Sequence, residues 1–385
     1  MTSRKSPRTV AASNGIGADP TFGAVAPPLY LSSTFTFAGF EQPRDYDYSR
    51  AGNPSRSLLA DTLAQLEGGA GAVVVASGMA AIDLVLATVE CDDFVLAPHD
   101  CYGGSRRLME ARAAKGHFKL IFIDQADETA LAAAMEKAPA LILIETPSNP
   151  LMRVVDIRRV ATLAAAIGCK VAVDNTFLSP VLQQPISLGA DYVVHSTTKY
   201  LNGHSDVVGG AVIAADAADA AALSAWSNIT GVTGAPFDAY LTLRGLRTLF
   251  PRVIQQEKTA RIVAAYLDDH PLVTAVHYPG LKSHSGYDIA QAQQKGPGAM
   301  LSFELAGGSD AVRRFVGAVG GFLLAESLGG VESLIAHPAT MTHVSMTVEA
   351  RQMAGISDSL LRLSVGLEGE EDLVAGLDRG FAALG

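Results

Sequence analysis

Cysteine is scarce. Cys91, Cys101 and Cys169 are the three in the chain, an odd number without a pairing pattern or metal-ligand spacing. This argues against a disulfide framework and against a cysteine-held metal, and reduced thiols in a cytoplasmic protein are the expectation. Charge is sparse as well. Asp, Glu, Lys and Arg make up 18% of the residues, so part of the surface is expected to be covered, as it is between subunits. The 29 basic residues are outnumbered by 39 acidic ones, a net charge of −10, which argues against a nucleic-acid surface. No apolar run reaches the roughly 18 residues of a membrane span. The opening "MTSRKSPRTVAASNGIGADP" is basic but lacks the apolar stretch of a secretory signal. Repeats and low-complexity tracts are also missing. Core material is plentiful: 49% of residues are hydrophobic and the mean hydropathy is +0.24. The length of 385 residues suits two or three domains.

The pattern along the chain changes twice. Residues 1–53 are poor in periodicity, with "APPLYLSSTFTF" and the turn-rich "RDYDYSRAGNPSR"; an irregular arm of that length serves a function or a neighbour. From about residue 70, short apolar runs recur: "AVVVAS", "DFVLAP", "FKLIFID", "ALILIE", "KVAVDN", "DYVVHS" and "GGAVIA". Helical spacers such as "MAAIDLVLATV" and "DIRRVATLAAAIG" separate several of them. The alternation predicts an α/β fold, a mainly parallel seven-stranded sheet with helices on both faces, its strands apolar because both faces are buried. Residues 54–250 form this large domain. Residues 251–385 read as a smaller α+β domain, with helices at "VIQQEKTARIVAAYLDD", "DAVRRFVGAV" and "EDLVAGLDRGFAAL" and strands at "AMLSFELAG" and "LLRLSVGLE".

Open parallel sheets bind ligands beyond the carboxyl ends of their strands. There the sequence delivers Asp174 after "KVAV", Ser196, Thr198 and Lys199 after "YVVH", Asn149 after "LILIETPS", and Ser77, Gly78 and Met79 at a helix start. These parts suit pyridoxal phosphate (PLP). A lysine amine can form a Schiff base with its aldehyde, and a carboxylate can keep its ring nitrogen protonated. A helix N-terminus with a glycine can receive its phosphate. Each part has a plainer reading. A lysine after a strand is usually a solvated loop charge, an aspartate there a turn former, and "SGMAA" an ordinary helix start. The conjunction carries the argument: an Asp after one strand and a Lys after the next, 199 − 174 = 25 residues on. Arg362, inside the apolar "LLRLSV", is costly to bury unless paired; a bound anion and a structural ion pair are both open.

From about Thr9 to Phe381 the chain closely resembles the cysteine and methionine metabolism family of PLP enzymes, which have the aspartate aminotransferase fold. The resemblance rests on "YSRAGNPS", "APHDCYGGS", "ETPSNPLMRVVDI", "VDNTFLSP", "HSTTKYLNGHSDVVGG", "VTGAPFDAYLTLRGLRTL", "QQKGPGAMLSFEL", "LAESLGGVESLIAHPATMTH" and "LLRLSVGLE". It implies Lys199 as the cofactor-bound lysine and proton shuttle, Asp174 at the ring nitrogen and Tyr102 stacked on the ring. Gly78, Met79, Ser196 and Thr198 would hold the phosphate, joined by Tyr48 and Arg50 of a neighbouring chain. Arg362, with Asn149 and Ser327, would clamp the substrate carboxylate, and Arg107, Glu326 and Asp47 would meet the distal parts of the substrates. No metal is implied. The implied assembly is a homotetramer, a dimer of dimers with shared sites, whose only other partners are small amino acids.

"HDCYGG" and Arg107 resemble the branch that performs γ-replacement, joining an O-acyl-L-homoserine, succinyl first among the candidates, to L-cysteine in methionine biosynthesis by trans-sulfuration. The γ-lyase, sulfhydrylase and β-lyase branches share most of these residues and stay open. A non-catalytic PLP-binding regulator is a remoter alternative, since all the chemical residues are present. The match departs from the family wording at Ser55 and around Ile229 and Thr230, read as a loop that borders the substrate pocket.

Overall fold

The computed structural model describes residues 5–344 and 346–385. Residues 1–4, where the arm and the basic opening begin, and Ser345 lie outside the described residues. The seven apolar runs all form strands: β1 Gly71–Val75, β2 Phe94–Pro98, β3 Lys119–Ile123, β4 Leu141–Glu145, β5 Lys170–Asp174, β6 Tyr192–Ser196 and β7 Gly210–Ala214. They make one sheet in the order β1-β7-β6-β5-β4-β2-β3. Strand β7 runs antiparallel to β1 and β6, and the remaining pairs are parallel. The central strands bury both faces, which is why their sequences are apolar runs rather than alternating patterns.

A second sheet is built from β8 Val273–His277, β9 Met300–Leu305, β10 Leu323–Leu324, β11 Leu334–Ala336 and β12 Leu360–Ser364, in the order β10-β11-β12-β9-β8. Strands β9 and β12 match the expected runs. Strands β10 and β11 are too short to show a period of two. Helix Leu249–Asp268 packs against this sheet and against the closing helix Glu370–Ala382.

The N-terminal segment is more anchored than its composition implies. Ser6 caps a short helix, Pro7–Ser13, by accepting from the Thr9 N–H. Arg247 donates to the carbonyls of Ala11 (3.0 Å) and Asn14 (2.7 Å), and Asn14 Nδ2 donates to Asp61 (2.8 Å) and Thr62 (2.9 Å). This end therefore docks on its own chain. The apolar residues that follow do not: Phe22 is 90% and Phe40 91% exposed. The "WSNIT" departure is no loop. It forms the last turn of helix Ala217–Thr230, where the Thr230 hydroxyl donates to the Trp226 carbonyl.

Candidate active site

Strands β4, β5 and β6 end side by side, at Glu145, Asp174 and Ser196, with Glu145 directly opposite Asp174 in the ladder. Beyond them lies a cavity of about 340 Å³, within the usual range for cofactor sites. Eleven of the expected residues line it: Gly78, Met79, Tyr102, Asn149, Asp174, Ser196, Thr198, Lys199, Glu326, Ser327 and Arg362. Asp47, Tyr48, Arg50 and Arg107 do not line the cavity of their own chain.

Lys199 follows β6 and projects into the cavity, where its Nζ donates to Ser327 Oγ at 2.6 Å. Burial lowers its pKa to about 8; the positive charge of Arg362 adds to this and Glu326 opposes it. At neutral pH the amine is still mostly protonated, but its free fraction is far larger than that of an ordinary lysine. Uptake of PLP by the apoprotein needs that free amine, so its rate should rise with pH through about 8 rather than near the ordinary lysine value. Rapid-mixing absorbance across a pH series checks this. Arg362→Leu removes a positive neighbour and should move the midpoint upward.

Arg362 is 3% exposed. Its Nη1 donates to Asn149 Oδ1 and its Nη2 to the Ser327 carbonyl, both at 2.9 Å. Both acceptors are neutral, and the buried Nε has no partner. Burial lowers even this guanidinium to about 10, against the pull of Glu326. A buried cation without a carboxylate is costly unless a ligand supplies the anion. Ser327, which serves both Lys199 and Arg362, holds a backbone φ of +93°. For a non-glycine residue such strain of about 1–3 kcal/mol persists where the surroundings over-determine it, commonly at functional sites.

The opposite end of the cavity is the start of helix Gly78–Leu86. Ser77 Oγ accepts from the Ala80 N–H at 3.1 Å, leaving the first N–H groups of the helix for an anion. Gly78 is required by close approach, since a Cβ there would stand 2.7 Å from Ser196 Cβ. Tyr102 is 41% exposed and begins helix Gly103–Ala114. Gly104 leaves room for its ring, because a Cβ there would stand 2.4 Å from it.

Asp174 accepts from the Thr176 N–H at 3.0 Å. Burial raises its pKa and the Thr176 bonds oppose this, so a cationic ring nitrogen would be the partner that fixes its charge. Asp174, the Lys199 amine with its lowered pKa, the open helix start and the unpaired Arg362 together fit PLP with an amino-acid substrate.

Three contributors escaped the sequence reading. Glu145 closes "ALILIE" and looks like any strand end, yet one oxygen accepts from the Tyr102 N–H and the other from the Asn149 N–H, both at 2.9 Å. Thr176 bonds Asp174 and accepts from the Ser196 N–H. His343 is buried, donates to the Asn149 carbonyl from Nε2 at 3.1 Å, and is held neutral by burial, with a pKa of about 4. Arg107 is exposed on the helix that starts beside Tyr102. Arg50 Nη1 donates to Asn228 O and Oδ1, both at 2.8 Å.

Residues 8–382 match the family described as Cys/Met metabolism PLP-dependent enzyme. The cystathionine gamma-synthase of Escherichia coli (strain K12) is 54% identical over 376 residues, 97% of each chain. A cystathionine beta-lyase of Lactococcus lactis subsp. cremoris (strain MG1363) is 44% identical over 360 residues, 94% of each chain. The crystal structure of cystathionine gamma synthase from Xanthomonas oryzae pv. oryzae in complex with cystathionine is 56% identical and superposes with a TM-score of 0.97, covering 98% of this chain and 99% of that one. The chain belongs to the Cys/Met metabolism family of PLP-dependent enzymes.

Proposed function

We propose that the protein catalyses γ-replacement: O-succinyl-L-homoserine and L-cysteine give L-cystathionine and succinate. The observation that carries this reading is the pairing, in one cavity, of a buried amine on Lys199, whose pKa burial lowers to about 8, with a buried guanidinium on Arg362 that lacks a carboxylate. The gamma-synthases, at 54% and 56% identity, favour this reaction over that of the beta-lyase at 44%.

Bound PLP supplies an aldehyde for the lysine and a ring that withdraws electrons from the substrate Cα. The remaining work belongs to the chain. Arg362, steered by Asn149, fixes the α-carboxylate. Lys199, free once the substrate amine has taken its place, would accept the proton from Cα, hand that proton on so that it is a base again, and then accept one from Cβ, which would allow succinate to leave from Cγ; the cysteine thiolate would take its place and the protons would return. A flexible amine whose pKa is lowered by burial suits one base acting at several carbons. Asp174 would keep the ring nitrogen protonated, Tyr102 would flank the ring, and the Gly78–Met79 backbone with Ser196 and Thr198 would hold the phosphate.

Purified protein should convert O-succinyl-L-homoserine with cysteine to cystathionine, identified by mass spectrometry. Pyruvate from cystathionine as the dominant product would favour a β-lyase instead, and 2-oxobutyrate from cystathionine a γ-lyase.

The succinyl group carries a second carboxylate, whereas Lys199 and Arg362 are the cavity's own cations and both are engaged. Arg107 is the cation assigned to that carboxylate, with Glu326 and Asp47 toward the cysteine amine. Arg107→Ala should lower kcat/KM for the succinyl ester about tenfold to a hundredfold, the worth of a charge-assisted hydrogen bond, and affect the acetyl ester far less. Equal losses on both esters would contradict this assignment.

The protein works as a homo-oligomer, a homotetramer in this reading, in the cytoplasm. Support comes from the exposed apolar residues of the arm, including Phe22, Leu31, Phe37 and Phe40, and from cysteines that are all free. Tyr48 and Arg50, outside their own cavity, complete the partner's phosphate site. Mixing Arg50→Ala with Lys199→Ala chains should then restore activity, because one site of each hybrid is intact; hybrids that form but stay inactive would place each site within one chain.

A further inference from the structure

Behind the cavity lies a second set of polar residues that the chemistry above leaves unused. Glu67, the last residue of helix Pro54–Glu67, is 1% exposed; Asn175 and His195 are 0%, and Gln183 is 1%. Glu67 Oε1 accepts twice, from His195 Nε2 at 2.7 Å and from Asn175 Nδ2 at 2.9 Å. Asn175 Oδ1 accepts from Gln183 Nε2 at 3.1 Å, and that same amide donates to the Thr146 carbonyl at 3.0 Å. None of these residues lines the cavity.

Three of them are, however, chain neighbours of residues that do. His195 precedes Ser196, Asn175 follows Asp174, and Thr146 follows Glu145. The hydrogen-bonded ladder between β5 and β6 ends where Asp174 faces Val194, with one further bond from the Asn175 N–H to the Val194 carbonyl. Past that point the side-chain network ties the strand ends together. A buried carboxyl without Lys or Arg is expensive, and apolar residues of similar volume are often as stable. Its return is alignment, which ligand sites need to within a fraction of an ångström.

We propose that Glu67 is a positioning residue: through His195 and Asn175 it holds the ends of β5 and β6 so that Asp174 and Ser196 meet the cofactor's ring nitrogen and phosphate together. This rests on the reading of Asp174 and Ser196 as cofactor residues. Because both bonds fall on one oxygen, a pair of variants separates hydrogen bonding from charge. Glu67→Gln keeps an acceptor oxygen in place, and Glu67→Met removes it.

The test is titration of apoprotein with PLP, followed by the intensity and pH midpoint of the visible band of the lysine-bound cofactor. Glu67→Met should weaken PLP binding about tenfold, the loss expected from one misaligned polar contact, and shift the band midpoint. Glu67→Gln should stay close to wild type in both. A residue that supports only the fold would lower Tm and leave both cofactor readouts unchanged in the folded protein. Folded Glu67→Met with wild-type affinity and band would therefore overturn the proposal, as would equal losses in the Gln and Met variants. If Glu67→Met does not fold, His195→Leu removes one of the two bonds and is read the same way, with His195→Gln as the conservative control. Failure of the wild-type apoprotein to take up PLP would instead overturn the cofactor reading beneath it.

Discussion

Lys199→Ala should lower the rate of γ-replacement by about 10⁴-fold or more. General acid–base catalysis by one positioned group contributes roughly 10²–10⁴-fold, and in the proposed function the same amine also forms the covalent link to the cofactor. The effect follows from the site's construction. Lys199 Nζ is held by Ser327 at 2.6 Å, and burial lowers its pKa to about 8. Among the cavity's residues, Arg362 is the other cation, and with a pKa of about 10 it stays charged at neutral pH, so it cannot take over proton transfer. The variant should still retain PLP, because the helix start at Gly78 and the Ser196 and Thr198 hydroxyls are untouched. It should lose the visible band of the lysine-bound form. Steady-state turnover and an absorption spectrum check both halves.

Arg362→Leu should reduce kcat/KM by about 10²–10³-fold, corresponding to about 3–4 kcal/mol for removing one partner of a buried, hydrogen-bonded charge pair. Two consequences separate it from the lysine variant. PLP should bind normally, since none of the phosphate-cradle residues is altered. The apoprotein should also tolerate the change well: an apolar side chain removes a buried guanidinium that lacks an anionic partner in the free protein. A Tm equal to or above wild type, together with the kinetic loss, is the expected pair of results. A large fall in Tm would mean that Arg362 braces the two domains rather than waits for a carboxylate.

The large sheet was legible in the sequence because strands buried on both faces are apolar runs bounded by polar punctuation, and all seven formed where the runs lie. The second sheet was half legible. β9 and β12 carry five or six residues each, whereas β10 has two and β11 three, too few for any periodicity, and β8, five residues of "VTAVH", was missed because it is neither an apolar run nor a clean alternation. Among site residues, Lys199 and Asp174 could be placed because strand ends and ligands go together in such folds. Tyr102, Ser327 and Glu326 came only from the family resemblance. Glu145 and His343 were hidden for one physical reason: Glu145 bonds the backbone of Tyr102 and His343 that of Asn149, 43 and 194 residues away in sequence, which no local pattern encodes. The "WSNIT" segment failed in the other direction: a departure from family wording was read as a loop, and the segment is the last turn of helix Ala217–Thr230.

Borohydride reduction of the yellow, PLP-loaded protein, followed by peptide mapping, tests the central claim most directly. Reduction fixes the cofactor to whichever amine holds it. The account predicts a single labelled peptide that carries Lys199. Label on Lys170, which already bonds Asp191 and Asp219, or on Lys258, which faces Glu370, would contradict it.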